Sequence, residues 1–326
     1  MADFSKKQTG VLSAAKELIV LILIVFIIRT WGFGLYQVPT GSMETTVLVG
    51  ERFFADKFTI LFSPAKRGDV IAFNEPATIF KYSDKWFIRL FQMYVWGPQN
   101  LTKRVIGEPG DKIKGVIEDG KPVIYLNDKK LNEPYVNKLP LIRVWKENPA
   151  DIARTVEQEV SQGIAQGYID RSKAQEAMQS FMLNGYTVLK SYDPKVPWEM
   201  QPYYRIKPDR IVMGADNKPI QIIYPDTPQL PRHQQIKVGN SYWGDNSDEF
   251  YIELGPNQYW CMGDNREGSS DSRTFGPVDG NLIHGKIVFR IWSIDSDESW
   301  WIVDLIKHPI DFWKRIRWNR FFQIVR

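Results

Sequence analysis

The run GDVIAF spans residues 68–73 and is typical of how this chain is built. Gly68 and Asp69 are turn formers, and the four residues after them are a short apolar run, which reads as a strand rather than a helix. Similar runs flanked by turn residues recur on both sides: ERFFADKF from 51, PVIYLN from 122, DRIVMG from 209 and KIVFRIW from 286. They do not alternate with helices, which excludes a βαβ pattern and predicts a mainly β protein. One helical island interrupts them. Asn148 can cap a helix with Pro149 at its first position, and Ile152, Val156, Val160 and Ile164 then recur along one face. A second helix starts after Asp170, stripes Ala174, Met178, Phe181 and Met182, and stops at Asn184-Gly185. This predicts a helical hairpin over about 149–184, inserted in a β protein, with its Met and Phe stripe buried as core.

The 326 residues suffice for one large core with insertions or for two modest domains. Basic residues number 42 and acidic ones 38, giving +4, a mixed surface that argues against nucleic-acid binding. A single cysteine, Cys261, excludes an internal disulfide and leaves no basis for a cysteine-based zinc site. No metal or other cofactor is expected. Near the N-terminus, LIVLILIVFII from Leu18 to Ile28 carries no charge or breaker, and with its flanks approaches the ~20 residues that span a bilayer. Lys6, Lys7 and Lys16 precede it and Arg29 follows, which by the positive-inside rule leaves the N-terminus in the cytoplasm. A cleaved signal peptide is the alternative, but no A-x-A-like site follows the run, and a retained anchor is the preferred reading. At the other end, DFWKRIRWNRFFQIVR mixes basic and aromatic side chains, as suits either an anionic membrane surface or a terminal helix docked on its own domain.

Of three histidines, none adjoins a Gly-x-Ser-x-Gly elbow or forms an H-E-x-x-H pair. A serine hydroxyl is a poor nucleophile until a base takes its proton, and a lysine serves only when its amine is neutral. Its reference pKa near 10.4 must fall by roughly three units to act near pH 7, and burial is the available lever. In LTKRVIGEPGD, residues 101–111, Lys103 has apolar neighbours before and after it. If this is a strand, alternation turns Lys103 inward and Arg104 outward.

Alone, QVPTGSMETT (37–46), KRGDVIAF (66–73), TKRVIGEPGD (102–111) and GDNREGSSDSR (263–273) are each weak signals. In this order behind an apolar N-terminal segment, they make the chain resemble the type I signal peptidases of bacteria, membrane-bound serine proteases with a Ser/Lys dyad. The resemblance implies an antiparallel β catalytic core with an N-terminal transmembrane helix and an inserted domain. It assigns Ser42 as nucleophile, Lys103 as general base, and Ser269 as the hydroxyl that orients the lysine. The oxyanion hole falls to Thr40 and the Ser42 amide, and active-site support to Gly263, Asp264, Asn265, Arg266, Asp271 and Arg273. Substrate would lie between Gln37, Val38 and Pro39 on one side and Asn100, Leu101 and Thr102 on the other. Expected partners are exported precursors with small residues at P1 and P3, together with membrane lipid, at the bacterial plasma membrane with the catalytic domain outside. The layout then reads 1–12 cytoplasmic, 13–36 anchor, 37–115 and 255–300 catalytic core, 116–254 inserted domain and 301–326 tail. Where the family commonly has a proline, this chain has Glu44-Thr45-Thr46, and the stretch from about Lys138 to His233 matches nothing in the family pattern. Two rivals remain: a membrane-anchored Ser-His-Asp hydrolase using His284 and Asp271, and an inactive membrane-tethered binding domain.

Overall fold

The computed structural model describes residues 16–94, 97–119, 121–139, 141–145, 149–182, 186–191, 193, 195–196, 248–296 and 300–325. Four of the turn-bounded runs are strands: β2 (Arg52–Asp56), β3 (Val70–Asn74), β6 (Lys121–Leu126) and β13 (Ile283–Trp292). The run DRIVMG, 209–214, lies outside the described residues. A large sheet runs in the order β1 (Phe33–Gln37), β2, β13, β3, β4 (Asn100–Gly107), β11 (Gln258–Met262) and β12 (Val278–Asp279), with β14 (Gln323–Ile324) added to β13. All of its pairings are antiparallel. A second antiparallel sheet is β10 (Phe250–Glu253), β5 (Lys112–Glu118), β6 and β7 (Lys129–Lys130). Lys112–Gly115, expected in the catalytic core, therefore belong to the second sheet through β5.

The large sheet is buried on both faces. Alternation sends Val70 and Ala72 to a cluster with Val38, Met43, Phe53 and Ile287, while Ile71 and Phe73 join Val105, Cys261, Phe275 and Val278 on the opposite face. That is why β3 reads as an unbroken apolar run in the sequence. It also corrects one expectation: Arg104 does lie on the other face of β4 from Lys103, yet both are buried, at 1% and 4% exposure, because neither face meets solvent there. A third cluster joins the two sheets, packing Ile106, Trp260 and Met262 of the large one against Ile113, Ile124 and Phe250 of the small one. Between them the chain turns at 108–111, where Gly110 takes φ 88°, a conformation glycine adopts without cost.

The predicted hairpin is α2 (Pro149–Ala165) and α3 (Ala174–Ser180), the latter led by a 3-10 turn that Asp170 caps by accepting the Ser172 amide. Ile152, Val156 and Val160 are buried against Ala174, Met178 and Met182. Phe181, expected in that core, is 41% exposed. Asn148, Asn184 and Gly185 lie outside the described residues. The hairpin leaves and re-enters through a two-stranded ribbon, β8 (Leu141–Trp145) and β9 (Thr187–Ser191).

At the N-terminus, helix α1 occupies 16–27, a π turn follows at Ile28–Gly32, and Phe33–Tyr36, expected within the anchor, are strand residues of β1 paired with β2. Residues 13–15 lie outside the described residues, and among those described no helix is long and apolar enough to cross a membrane. The C-terminal segment docks on its own domain. Phe312 and Ile316 bury against Ile294, Arg320 pairs with buried Glu51 at 2.6 Å, and β14 extends the sheet. Trp313, Trp318 and Phe322 remain exposed. Because Phe312 is 1% exposed, Phe312→Ala should lower the free energy of unfolding by about 3 kcal/mol or more, measured by denaturant titration; a change under ~1 kcal/mol would contradict this docking.

Candidate active site

Ser42 sits in a one-turn 3-10 segment, Gly41–Met43, entered from extended Thr40 at φ −130° and ψ 153°. Its amide belongs to the first turn, where N–H groups have no intrahelical partner. A Cβ at Gly41 would meet the Glu44 carboxyl at 2.9 Å, so glycine there lets that carboxyl lie against the turn. From β4, 61 residues further on, Lys103 reaches back so that Nζ lies 2.9 Å from Ser42 Oγ. The same Nζ donates to the Thr102 carbonyl at 3.1 Å.

Burial is what tunes this amine. Removal from water pulls the Lys103 pKa down to about 8, against the opposing pull of Asp271 and smaller contributions from Cys261 and Asp264, with Arg273 assisting the fall. Asp271 is itself buried, which by itself would raise its carboxyl; the Arg273 charge, hydrogen bonds from Arg273 and the Gly263 amide outweigh that and hold it below the ordinary range. Asp271 thus stays anionic and paired with Arg273, whose Nη1 reaches Asp248 at 2.7 Å and whose Nη2 also donates to the Arg266 carbonyl at 2.7 Å.

Two more buried pairs frame the site. Arg104 grips Asp264 through two bonds of 2.8 and 2.7 Å, donates to the Gly68 carbonyl at 2.6 Å and lies 4.1 Å over the Tyr135 ring. Arg266 donates to the Gly263 carbonyl at 3.1 Å and forks onto Glu133. Gly263 itself has no room for a side chain, since a Cβ there would meet Ser269 Oγ at 2.2 Å and the Ser42 carbonyl at 2.4 Å. Every residue expected as support therefore lies in one buried shell behind Ser42 and Lys103. Ser269 is different: it is 3% exposed and packs beside Gly263, but among the described residues its Oγ makes no hydrogen bond, and Lys103 bonds Ser42 and Thr102 instead.

In front of the pair opens a groove of about 880 Å³ lined by Gln37, Val38, Pro39 and Thr40 from one side and Asn100, Leu101, Thr102 and Lys103 from the other, with Ser42 between. Thr40 is exposed in it, and β1 forms an edge of the large sheet. His284 braces the two walls. Its Nδ1 accepts the Tyr36 hydroxyl at 2.8 Å and its Nε2 meets Asn100 Oδ1 at 2.7 Å, the neutral tautomer assigned from this network. Burial, with the Lys57 charge nearby, pushes its pKa down to about 3. With both ring nitrogens engaged there, and the Asp271 carboxylate engaged by Gly263 and Arg273, these two residues do not form a Ser-His-Asp triad. Among the described residues no group of His, Cys, Asp and Glu is arranged to hold a metal ion.

Three residues of this neighbourhood escape a reading of the sequence. Glu44 is fully buried and accepts from the Ser191 hydroxyl at 2.8 Å, and Asn137 donates to both Ser191 and Asn265. Ser191 and Asn137 belong to no motif, and a buried glutamate next to a serine has no sequence signature.

The chain matches the model of the family described as signal peptidase, peptidase S26, over residues 11–192 and 206–292. It is similar to signal peptidase I of Buchnera aphidicola subsp. Schizaphis graminum, with 26% identity over 294 residues, 85% of this chain and 74% of that protein. It is also similar to signal peptidase I P of Bacillus subtilis subsp. natto, with 28% identity over 133 residues, 41% of this chain and 60% of that protein. A crystal structure of a signal peptidase I from Enterococcus faecalis V583 is 14% identical and covers 69% of this chain and 97% of that one; its TM-score of 0.24 adds nothing to the fold described above. With the family model spanning well over half of its 326 residues, and a serine and a lysine in contact at the mouth of a groove, the chain belongs to the signal peptidase, peptidase S26, family.

Proposed function

We propose that this protein is a membrane-bound serine endopeptidase that removes N-terminal signal peptides from exported precursors, with Ser42 as nucleophile and Lys103 as general base. The observation that carries the reading is the 2.9 Å contact between a buried serine hydroxyl and a lysine amine whose pKa is drawn to about 8. An ammonium would donate to Ser42 Oγ; a free amine instead accepts the hydroxyl proton. The alkoxide attacks the scissile carbonyl, and the Ser42 amide and Thr40 hydroxyl hold the oxyanion, a contribution of a few kcal/mol per donor. Lys103 then returns its proton to the leaving amine and activates the water that releases the acyl group.

The groove suits an extended peptide. An edge strand offers unpaired main-chain groups for strand addition, and the walls at Gln37–Pro39 and Asn100–Thr102 would admit small side chains at P1 and P3. Attachment to the membrane through the apolar segment within 13–36 fits this substrate, whose own apolar region lies in the bilayer. Leu18–Ile28 expose their side chains along the segment, and Ser42 follows Ile28 by 14 residues. In this reading the N-terminus is cytoplasmic and the catalytic domain lies outside the plasma membrane. Against an inactive binding domain stands the cost of the lysine: burying an amine out of water destabilises the fold, and a module that only binds has no use for it.

Two measurements test the dyad. Ser42→Ala and Lys103→Met should each reduce cleavage of a precursor by at least about 10³-fold with the fold retained by circular dichroism; substantial turnover by either variant would sink the assignment. The rate should rise with pH through a basic limb near 8, the folded value of Lys103. The same shift has a stability signature. The unfolded lysine titrates near 10.5 and the folded one near 8, so the unfolded chain binds more protons between these values, and stability rises as pH climbs through that window. Lys103→Met should flatten that rise and stabilise the protein at pH 7 by a few kcal/mol, read by denaturant unfolding at pH 7 and pH 10; equal slopes for both proteins would count against the shift.

A further inference from the structure

We propose that the inserted segment positions the oxyanion-binding amide: Ser191 and Asn137, acting through Glu44 and Asn265, hold the Gly41–Ser42 peptide unit in its reactive orientation. The proposal rests on Ser42 being the nucleophile. A peptide unit is planar, so the direction of the Gly41 carbonyl fixes that of the Ser42 N–H on the far side of the same plane. The Gly41 carbonyl accepts from Asn265 Nδ2 at 2.9 Å, and the Ser42 carbonyl accepts from the Asn265 amide at 3.1 Å. One asparagine therefore grips the peptide units on both sides of the Ser42 α-carbon.

Asn265 is oriented in turn by the insertion side. Its Oδ1 accepts from Asn137 Nδ2 at 3.2 Å, which fixes the amide with its nitrogen toward Gly41. Asn137 Nδ2 also donates to Ser191 Oγ at 2.6 Å, and the Asn137 amide donates to the Asp264 carbonyl at 2.8 Å. Ser191, the last residue of β9, donates from its hydroxyl to Glu44 Oε2 at 2.8 Å and from its amide N–H to the same oxygen at 3.3 Å. Glu44 closes the circuit by donating its amide to the Gly41 carbonyl at 3.1 Å. The ring runs from Gly41 through Asn265, Asn137, Ser191 and Glu44 back to Gly41, and Ser191, Glu44 and Asn265 are all at most 2% exposed. In such a site a lost partner is not replaced by water, so the bonds are strong and directional.

This gives the insertion and Glu44 a shared purpose. Where a proline would stiffen the turn through its own ring, this chain stiffens it from outside, with a buried carboxyl group held by Ser191 of β9, the strand through which the helical hairpin re-enters. Ser191, Asn137 and Glu44 are positioning residues, since none of them touches the reacting atoms.

The test measures kcat and KM on a precursor peptide for Ser191→Ala, Asn137→Ala, Glu44→Ala and Glu44→Gln in the full chain, beside Ser42→Ala. Ser191→Ala and Asn137→Ala should each lower kcat about tenfold or more with KM within about twofold, because substrate contacts are untouched while the oxyanion donor is misaligned. Glu44→Gln, which keeps an acceptor for Ser191, should recover most of what Glu44→Ala loses. Affinity for a peptide boronate, which forms a tetrahedral adduct on the serine, should fall in parallel with kcat. Affinity for a non-reactive peptide competitor should not. Wild-type kcat and boronate affinity in Ser191→Ala and Asn137→Ala would overturn the proposal, as would equal losses of boronate and competitor binding. If Ser191→Ala does not fold, the Glu44→Gln and Asn137→Ala measurements decide in the same way. Turnover by Ser42→Ala would instead remove the nucleophile reading beneath it.

Discussion

A lysine amine held out of water against a serine hydroxyl is a costly arrangement, and the surrounding structure can be read as what keeps it in place. Lys103 lies on β4, the fifth strand of a sheet whose two faces are both covered, so its amine cannot snorkel back to solvent. Among the surrounding charges Asp271 raises its proton affinity most, but Arg273, paired with Asp271, opposes that, and burial prevails. Were Asp271 free to pair with Lys103, the amine would remain an ammonium and could not act as a base.

Charge elsewhere in the interior serves geometry. The pairs Arg104–Asp264, Arg273–Asp271, Arg273–Asp248 and Arg266–Glu133 are all largely buried, and such pairs contribute little net stability compared with apolar packing. What they do here is tie β4, the turn after β11 and the edge of the second sheet to one another, so that the Ser42 loop rests on a fixed floor. The groove in front is braced differently, by a neutral imidazole that joins Tyr36 of one wall to Asn100 of the other. His284 thus bridges two residues that line the groove, while its titration is pushed far below the working range of the lysine.

The mainly β character, the four described strands among the quoted runs and the helical hairpin are legible in the chain's own pattern, because alternation, turn residues and helical spacing are local properties. The sequence also picked out Ser42 and Lys103, through a resemblance carried by short motifs around each. Contacts between distant residues and the covering of faces depend on the packed chain and have no local signature. Alternation said that Arg104 points away from Lys103, but not that the second face is buried too; that depends on Asp264 and Tyr135 arriving from far along the chain. Phe181 fits the helical stripe and still meets solvent, just past Ser180 where its own helix ends, because spacing alone does not fix a helix end. Glu44 read as a departure in the sequence and became a buried anchor only once Ser191, 147 residues away, was folded against it. The 2.9 Å contact of the dyad is of the same kind: residue types and motifs name the two groups, but only a sheet that pairs β4 with β3 and β11 brings one to the other and strips the water from between them.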